Sequence, residues 1–246
     1  MTVVMRMKGS QAALGRWNAG VTITEVLIVT FLLFLEFSLL FLSARPRQIA
    51  RAKGVSCLNN LRQIHYGFTS YANSNSDFPQ RVVGTNGTSE WFDSASDAWR
   101  HFELPVAYYL ETPMILFCPA DLAKLQASVF ASTNSTAEKR NSRTNLTSPI
   151  IFQSNQYLSY FLNLEAGQSR HQEALCGDRN IELDDAVVSP GLLKFSTRQK
   201  IDFSASQHFQ QGNVITVGGA AMVLRGNDFW TYLKRIGSTS NLWVLP

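Results

Sequence analysis

Charge is scarce in this 246-residue chain: 16% of its residues are Asp, Glu, Lys or Arg, against roughly 25% in an average soluble domain. No run of five or more like charges occurs, and no basic helix face is interleaved with aromatics. The formal net charge of +4 therefore does not describe a nucleic-acid-binding surface, and no nucleic-acid partner is expected. Cysteine is nearly as rare. Cys57, Cys118 and Cys176 form no C-x-x-C spacing, which excludes a four-thiolate zinc module and a disulfide-dense mini-protein and allows at most one intramolecular bridge. The histidines, His65, His101, His171 and His208, are scattered, with no H-E-x-x-H, no G-x-S-x-G and no phosphate-cradling glycine loop. These absences argue against an enzyme, and no catalytic residue, cofactor or metal is expected. What the chain does have is apolar mass: 45% hydrophobic residues exclude disorder and suffice for one or two domains with a sizeable core. Ser, Thr and Asn supply much of the remaining polarity, as suits an extracytoplasmic surface.

One stretch, Gly20 to Ala44, dominates the hydropathy. As a helix it would rise about 37 Å, enough to span a hydrocarbon layer of about 30 Å, and the sequence predicts that it does. A polar leader with Arg6, Lys8 and Arg16 precedes it, but Ser43 to Pro46 is a poor match to the A-x-A site that ends a signal peptide. The stretch carries two acids, Glu25 and Glu36. A carboxylate inside an apolar span costs about 2.5 to 3.5 kcal/mol on insertion scales and so calls for a partner. If the chain is cut after Gly20, Val21 becomes an α-amine one helical turn before Glu25. Between staggered helices, the amine of one subunit would meet the carboxylate of another and set their register. Glu36 stands on the same face as Glu25, within about 20° and roughly 16 Å further along. It either faces a bundle interior or snorkels to an arginine such as Arg45 or Arg47 of a neighbour. Basic residues flank the stretch about equally, so charge alone does not orient it.

The string Gly20-Val21-Thr22-Ile23-Thr24-Glu25-Val26-Leu27 resembles the type IV prepilin cleavage and methylation signature, whose common form is G-F-T-L-I-E-L. The resemblance implies cleavage after Gly20 by a prepilin peptidase, N-methylation of Val21 and an assembly role for Glu25. It also orients the chain, N-terminus in the cytoplasm and C-terminal part outside. Val21 stands where the family usually has Phe or Met. After Pro46 an amphipathic helix is predicted, with Cys57, Leu61, Ile64, Phe68 and Tyr71 as one apolar stripe and a stop at Ala72 to Pro79. Its wording, C-L-N-N-L-R-Q-I-H-Y-G-F, resembles the post-membrane helix of a pseudopilin-like group, and Phe117-Cys118-Pro119-Ala120-Asp121 resembles that group's C-P-x-D element. In an oxidising compartment Cys57 could pair with Cys118; pairing of either with Cys176, or three free thiols, stays open.

From Phe78 onward the chain reads as short strands: Ile150 to Phe152, Tyr157 to Leu164, Leu192 to Phe195 and Val214 to Leu224, with Ala127 to Pro149 as an exposed loop. Gly218-Gly219 between two β-prone runs predicts a two-residue hairpin. With His208 it resembles the H-x9-D-G motif that ends the pseudopilin-like group, but Gly218 replaces the Asp, so His208, Gly218 and Gly219 are expected to serve a structural hairpin motif. His171, Cys176 and Asp178 can be drawn as a nucleophile set or metal site, though solvated loop polarity explains them as well. Asp178, Glu182, Asp184 and Asp185 offer oxygens of the kind calcium takes, without EF-hand spacing. Trp91, Trp99, Trp230 and Trp243 are expected in the core or on a sheet face.

The expected fold is α+β: a long N-terminal helix, its first half membrane-spanning, packed on a C-terminal antiparallel β-rich head, pilin-like. The expected division is leader 1–20, transmembrane half 21–44, amphipathic periplasmic half 45–76 and head 77–246. By its resemblance the chain would be a pseudopilin or pilin-like subunit of a type II secretion or type IV pilus-like fibre. It would sit in the bacterial inner membrane with a periplasmic or extracellular head. Its partners would be a prepilin peptidase, copies of itself and other pilin-like subunits, the inner-membrane assembly platform and the lipid bilayer. The competing classes are a non-polymerising, membrane-anchored ligand-binding protein and a hydrolase using His208 or His171.

Overall fold

The computed structural model describes residues 22–131, 149–196, 198–238 and 242–246, without the side chains of 39–47 and 95. The leader, including the expected cleavage site at Gly20 and Val21, lies outside the described residues. So do 132–148 of the expected loop and the side chains of Arg45 and Arg47. The chain falls into two compact units, Met1–Pro46 and Arg47–Pro246. Helix α1, Ile23–Asn75, contributes to both.

In the first unit α1 opens with a reciprocal cap. Thr22 N–H and its hydroxyl both donate to Glu25 Oε2 at 2.8 Å, and Glu25 N–H donates to Thr22 Oγ1 at 3.3 Å. The expectation of a membrane-spanning first half is corrected here: among the described residues, no helix is long and apolar enough to cross a membrane. The apolar stretch with described side chains, Thr22 to Ser38, rises only about 25 Å and is interrupted by Glu25 and Glu36. The transmembrane half 21–44, and with it the single-pass inner-membrane placement with a periplasmic or extracellular head, are withdrawn on this finding.

The second unit is built around a six-stranded antiparallel sheet in the order β10-β9-β4-β3-β11-β7. These strands are β3 Tyr160–Asn163, β4 Ala174–Asp178, β7 Gly191–Lys194, β9 Gln211–Thr216, β10 Ala221–Arg225 and β11 Leu242–Leu245. Alternation along each strand serves two cores. Leu162, Ile215 and Val244 point to one face, where they meet Cys57, Leu61, Ile64 and Phe68 of α1. Phe161, Val214, Trp243 and Leu245 point to the other. There they meet α3, Asp228–Arg235, and a three-stranded sheet, β6-β5-β8, made of Ala186–Val187, Ile181–Leu183 and Ile201–Phe203. Burial on both faces explains why the central strands read as continuous apolar runs. Trp243 is sealed against Phe161, Phe195 and Phe229. The stripe of α1 is therefore its sheet-facing side; the opposite side carries Asn59 and Arg62, which bond each other at 2.8 Å.

Helix α2, Ala98–Leu110, closes the first core over Phe68 and Phe102. Part of the stretch read as an exposed loop is buried: β1, Val129–Phe130, pairs parallel with β2, Ile151–Phe152, and both phenylalanines are fully enclosed. The Gly218-Gly219 connection also differs from expectation. Only Gly219 has a positive φ, 84°, and the turn closes as Gly219 N–H donates to Thr216 O and Thr216 N–H to Ala220 O, both at 3.0 Å. The loop is longer than two residues because Gly218 N–H is drawn instead to His171 O at 2.8 Å. A two-residue connection does occur at Asp184-Asp185, between the paired Leu183 and Ala186, where φ is 51° and 64°.

Candidate functional site

The chemistry-bearing side chains of the second unit meet where α1, the C-P-A-D segment and strand β4 converge. Cys57 lies on the buried stripe of α1, and Cys118 follows a 3₁₀ turn at Pro113–Leu116. The two are joined in a disulfide with Cα atoms 5.2 Å apart. A crosslink between residues 61 apart in sequence contributes on the order of 4 kcal/mol in the chain-entropy account. Cys176, the remaining cysteine, is reduced and buried.

Beyond Cys118 the chain turns tightly, Asp121 N–H donating to Cys118 O at 2.9 Å. This delivers Asp121 to Arg179, whose guanidinium grips the carboxylate with Nε at 2.6 Å and Nη2 at 2.8 Å. The neighbouring Asp178, at the end of β4, is fully buried. Its Oδ2 accepts from Asn213 N–H at 2.7 Å and Asn213 Nδ2 at 2.8 Å, while its Oδ1 has no hydrogen-bond partner. His208 completes the group. Its Nε2 stands 3.2 Å from Cys118 Sγ and 3.3 Å from Asp178 Oδ2.

The segment carrying His208 pays for this placement in backbone strain. The two following residues, Phe209 and Gln210, hold φ of 53° and 57°, a region that non-glycine residues seldom occupy outside constrained sites. Burial shapes the ionisation of the group. It pushes the Asp178 carboxyl up to about 7 against the pull of the Asn213 hydrogen bonds, and it lowers the His208 imidazole below its usual value. Burial, aided by the Asp178 charge, also holds the Cys176 thiol protonated. One ligand atom from each of Cys57, Cys118, Asp178 and His208 lies within 4.8 Å of the others. Two sulfurs, an imidazole nitrogen and a carboxylate oxygen are a donor set suited to zinc-class ions.

The structure distributes the sequence candidates differently from expectation. His208 does not join Gly218 and Gly219. The hairpin tip instead docks on α1, with His65 Nε2 2.9 Å from Val217 O, and a Cβ added at Gly219 would lie 3.0 Å from His65 Cε1. His171 is exposed on a turn, so the His171–Cys176–Asp178 set does not form; Asp178 pairs with His208 in its place. The acids considered for calcium also separate: Asp178 is interior, whereas Asp185 pairs with Lys200 Nζ at 2.6 Å and Asp184 accepts from Lys200 N–H at 2.9 Å. Glu25 caps its own helix, a role the T-x-x-E spacing before an apolar run would have revealed. The Asp121–Arg179 pair was not anticipated; the C-P-A-D string flagged only half of it. Elsewhere, a cleft of about 470 Å³ is lined by Arg198, Leu233, Lys234, Gly237 and Ser238. No family model matches the chain, and no curated protein or solved structure matches it.

Proposed function

We propose that this chain is a structural, pilin-like subunit of a type II secretion or type IV pilus-like fibre. In this reading a prepilin peptidase removes the leader after Gly20, and the helix beginning at Ile23 packs among copies of itself and related subunits. The observation that carries the reading is the first part of α1. Among the described residues, every one from Thr22 to Ser38 is exposed, including Ile23, Phe31 and Phe34, so this part of the helix presents apolar side chains around its circumference. Such a helix is stable only when enclosed, and it differs sharply from the one-sided α1 stripe that carries the sheet. Enclosure by copies suits its two acids. Glu25 and Glu36 share a face, and the new α-amine of a processed neighbour is the cation that would neutralise Glu25 between staggered helices. The signature from Gly20 to Leu27 supports the same reading.

The test is intact mass and N-terminal sequencing of the protein from its own host, followed by electron microscopy and sedimentation of the processed chain. A start at N-methyl-Val21 together with filaments containing the chain is expected. A start at Met1 with a monomer that never enters filaments overturns the reading and brings a non-polymerising ligand-binding protein forward.

A further inference from the structure

We propose that, once the Cys57–Cys118 disulfide is reduced, the two cysteine thiolates, His208 Nε2 and the Asp178 carboxylate form a tetrahedral site for one zinc-class divalent ion. This rests on the second unit alone and is independent of the fibre reading. Donor atoms about 2.0 to 2.3 Å from a tetrahedral centre stand roughly 3.3 to 3.8 Å from one another. The 3.2 Å contact of His208 Nε2 with Cys118 Sγ is already close to such an edge, and the Asp178 carboxylate lies beside it, its Oδ2 3.3 Å from the same nitrogen. All four residues contribute atoms within a 4.8 Å span, so small side-chain adjustments close the shell.

A disulfide packed in an apolar core needs neither a carboxylate nor an imidazole beside it, and here both are present. Asp178 is fully buried with Oδ1 unpartnered, and a buried carboxylate oxygen calls for a bound partner. Asn213 holds the other oxygen with two donors, as outer-shell groups hold ligating carboxylates. The strained backbone at Phe209 and Gln210 places His208 on the sulfur. Cys57, Cys118 and Asp178 are sealed, and His208, 8% exposed and followed by the solvent-facing Phe209, is the member of the group nearest solvent.

Oxidation state gates the site. Two sulfurs bonded to each other offer no thiolate, so the disulfide form does not bind. A dithiol reductant of the thioredoxin class gives two electrons and two protons to the sulfurs, breaking their bond and closing a disulfide of its own. Metal entry then releases the two thiol protons to solvent.

The experiment titrates cobalt(II), a spectroscopic stand-in for zinc, into the full chain, oxidised or reduced with a phosphine. Expected is a thiolate-to-cobalt charge-transfer band with tetrahedral d–d absorption that saturates at one equivalent in the reduced chain and is absent in the oxidised one. Its intensity should correspond to two sulfur ligands. His208→Ala and Asp178→Asn should each weaken binding at least tenfold, and Cys176→Ala should leave it unchanged. Absence of the band in the reduced wild type, equal binding by the oxidised chain, unchanged affinity in His208→Ala, or loss with Cys176→Ala overturns the proposal. Should the substitutions unfold the chain, the wild-type stoichiometry and sulfur count decide alone. A reduced chain that neither binds cobalt nor regains its far-ultraviolet circular dichroism with it also overturns the site.

Discussion

His101 is sealed inside the second unit, with Nδ1 2.7 Å from Thr88 Oγ1. Burial lowers its imidazole from the usual 6.5 to about 4. Because the folded value is depressed, the unfolded chain binds the extra proton between these limits. The stabilisation is complete above about 6.5 and is lost as pH falls toward 4, by roughly 3 kcal/mol at most. Thermal melts should therefore show the protein losing stability across that window, and His101→Gln should remove this part of the slope. Asp121 supplies a second test at this scale. Its carboxylate is 2% exposed and Arg179 20% exposed, so Asp121→Ala leaves a guanidinium largely buried and unpaired. A loss of about 3 kcal/mol in urea unfolding is expected, several times that of an exposed pair such as Lys200–Asp185. Sequence reasoning offered Cys57 with Cys118 as one of several open pairings and singled out Asp178 and His208 separately. It did not bring Asp178 and His208 to that cysteine pair, because their meeting depends on a register between β4 and β9 that no local pattern encodes.

At the scale of elements, α1 and the β9–β10 hairpin were the readable parts. The spacing of Cys57, Leu61, Ile64 and Phe68 is helical, and their burial follows from the sheet laid across that stripe. The hairpin was legible in its two β-prone runs but not in its turn, because His171 O draws Gly218 out of the tight two-residue geometry. Gly219→Ala tests that contact. It would force a Cβ into φ 84° and to 3.0 Å from His65 Cε1, and should destabilise by about 1 to 2 kcal/mol in chemical denaturation. The same substitution at Gly226, where φ is 50° with nothing within 4 Å, should cost less. Strand β1 was missed because it contributes only two residues, too few for a period to declare itself, whereas its partner β2 lies within the run 150–152 that reads as a strand.

For the whole molecule, the chain has two units, a packed sheet-and-helix unit and one whose described helical residues, Thr22 to Ser38, are exposed and largely apolar. Because the two units are separately compact, assembly and stability should respond to different substitutions. Glu25→Gln is the informative change: glutamine can still close the helix-capping box, whereas the charge offered to a neighbouring amine is gone. Under the fibre reading both Glu25→Gln and Glu25→Ala leave the melting of the second unit unchanged and abolish incorporation into filaments, scored by co-sedimentation with the wild type. Normal incorporation of Glu25→Gln would reduce Glu25 to a cap.

The sequence by itself determined the α+β character, the amphipathic face of α1 and the pairing-prone runs of the main sheet, because these follow from periods of 3.6 and 2 that each segment carries alone. It also placed an apolar stretch after Gly20, but apolarity does not say what covers it. Only the tertiary structure decided that His208 belongs with a disulfide and a buried carboxylate rather than with the glycines ten positions on. It likewise decided that Arg179 answers Asp121 and that Trp243 lies opposite the α1 face. Those outcomes depend on strand order and on contacts between residues as far apart in sequence as Cys57 and His208, where burial rather than local pattern selects the partner.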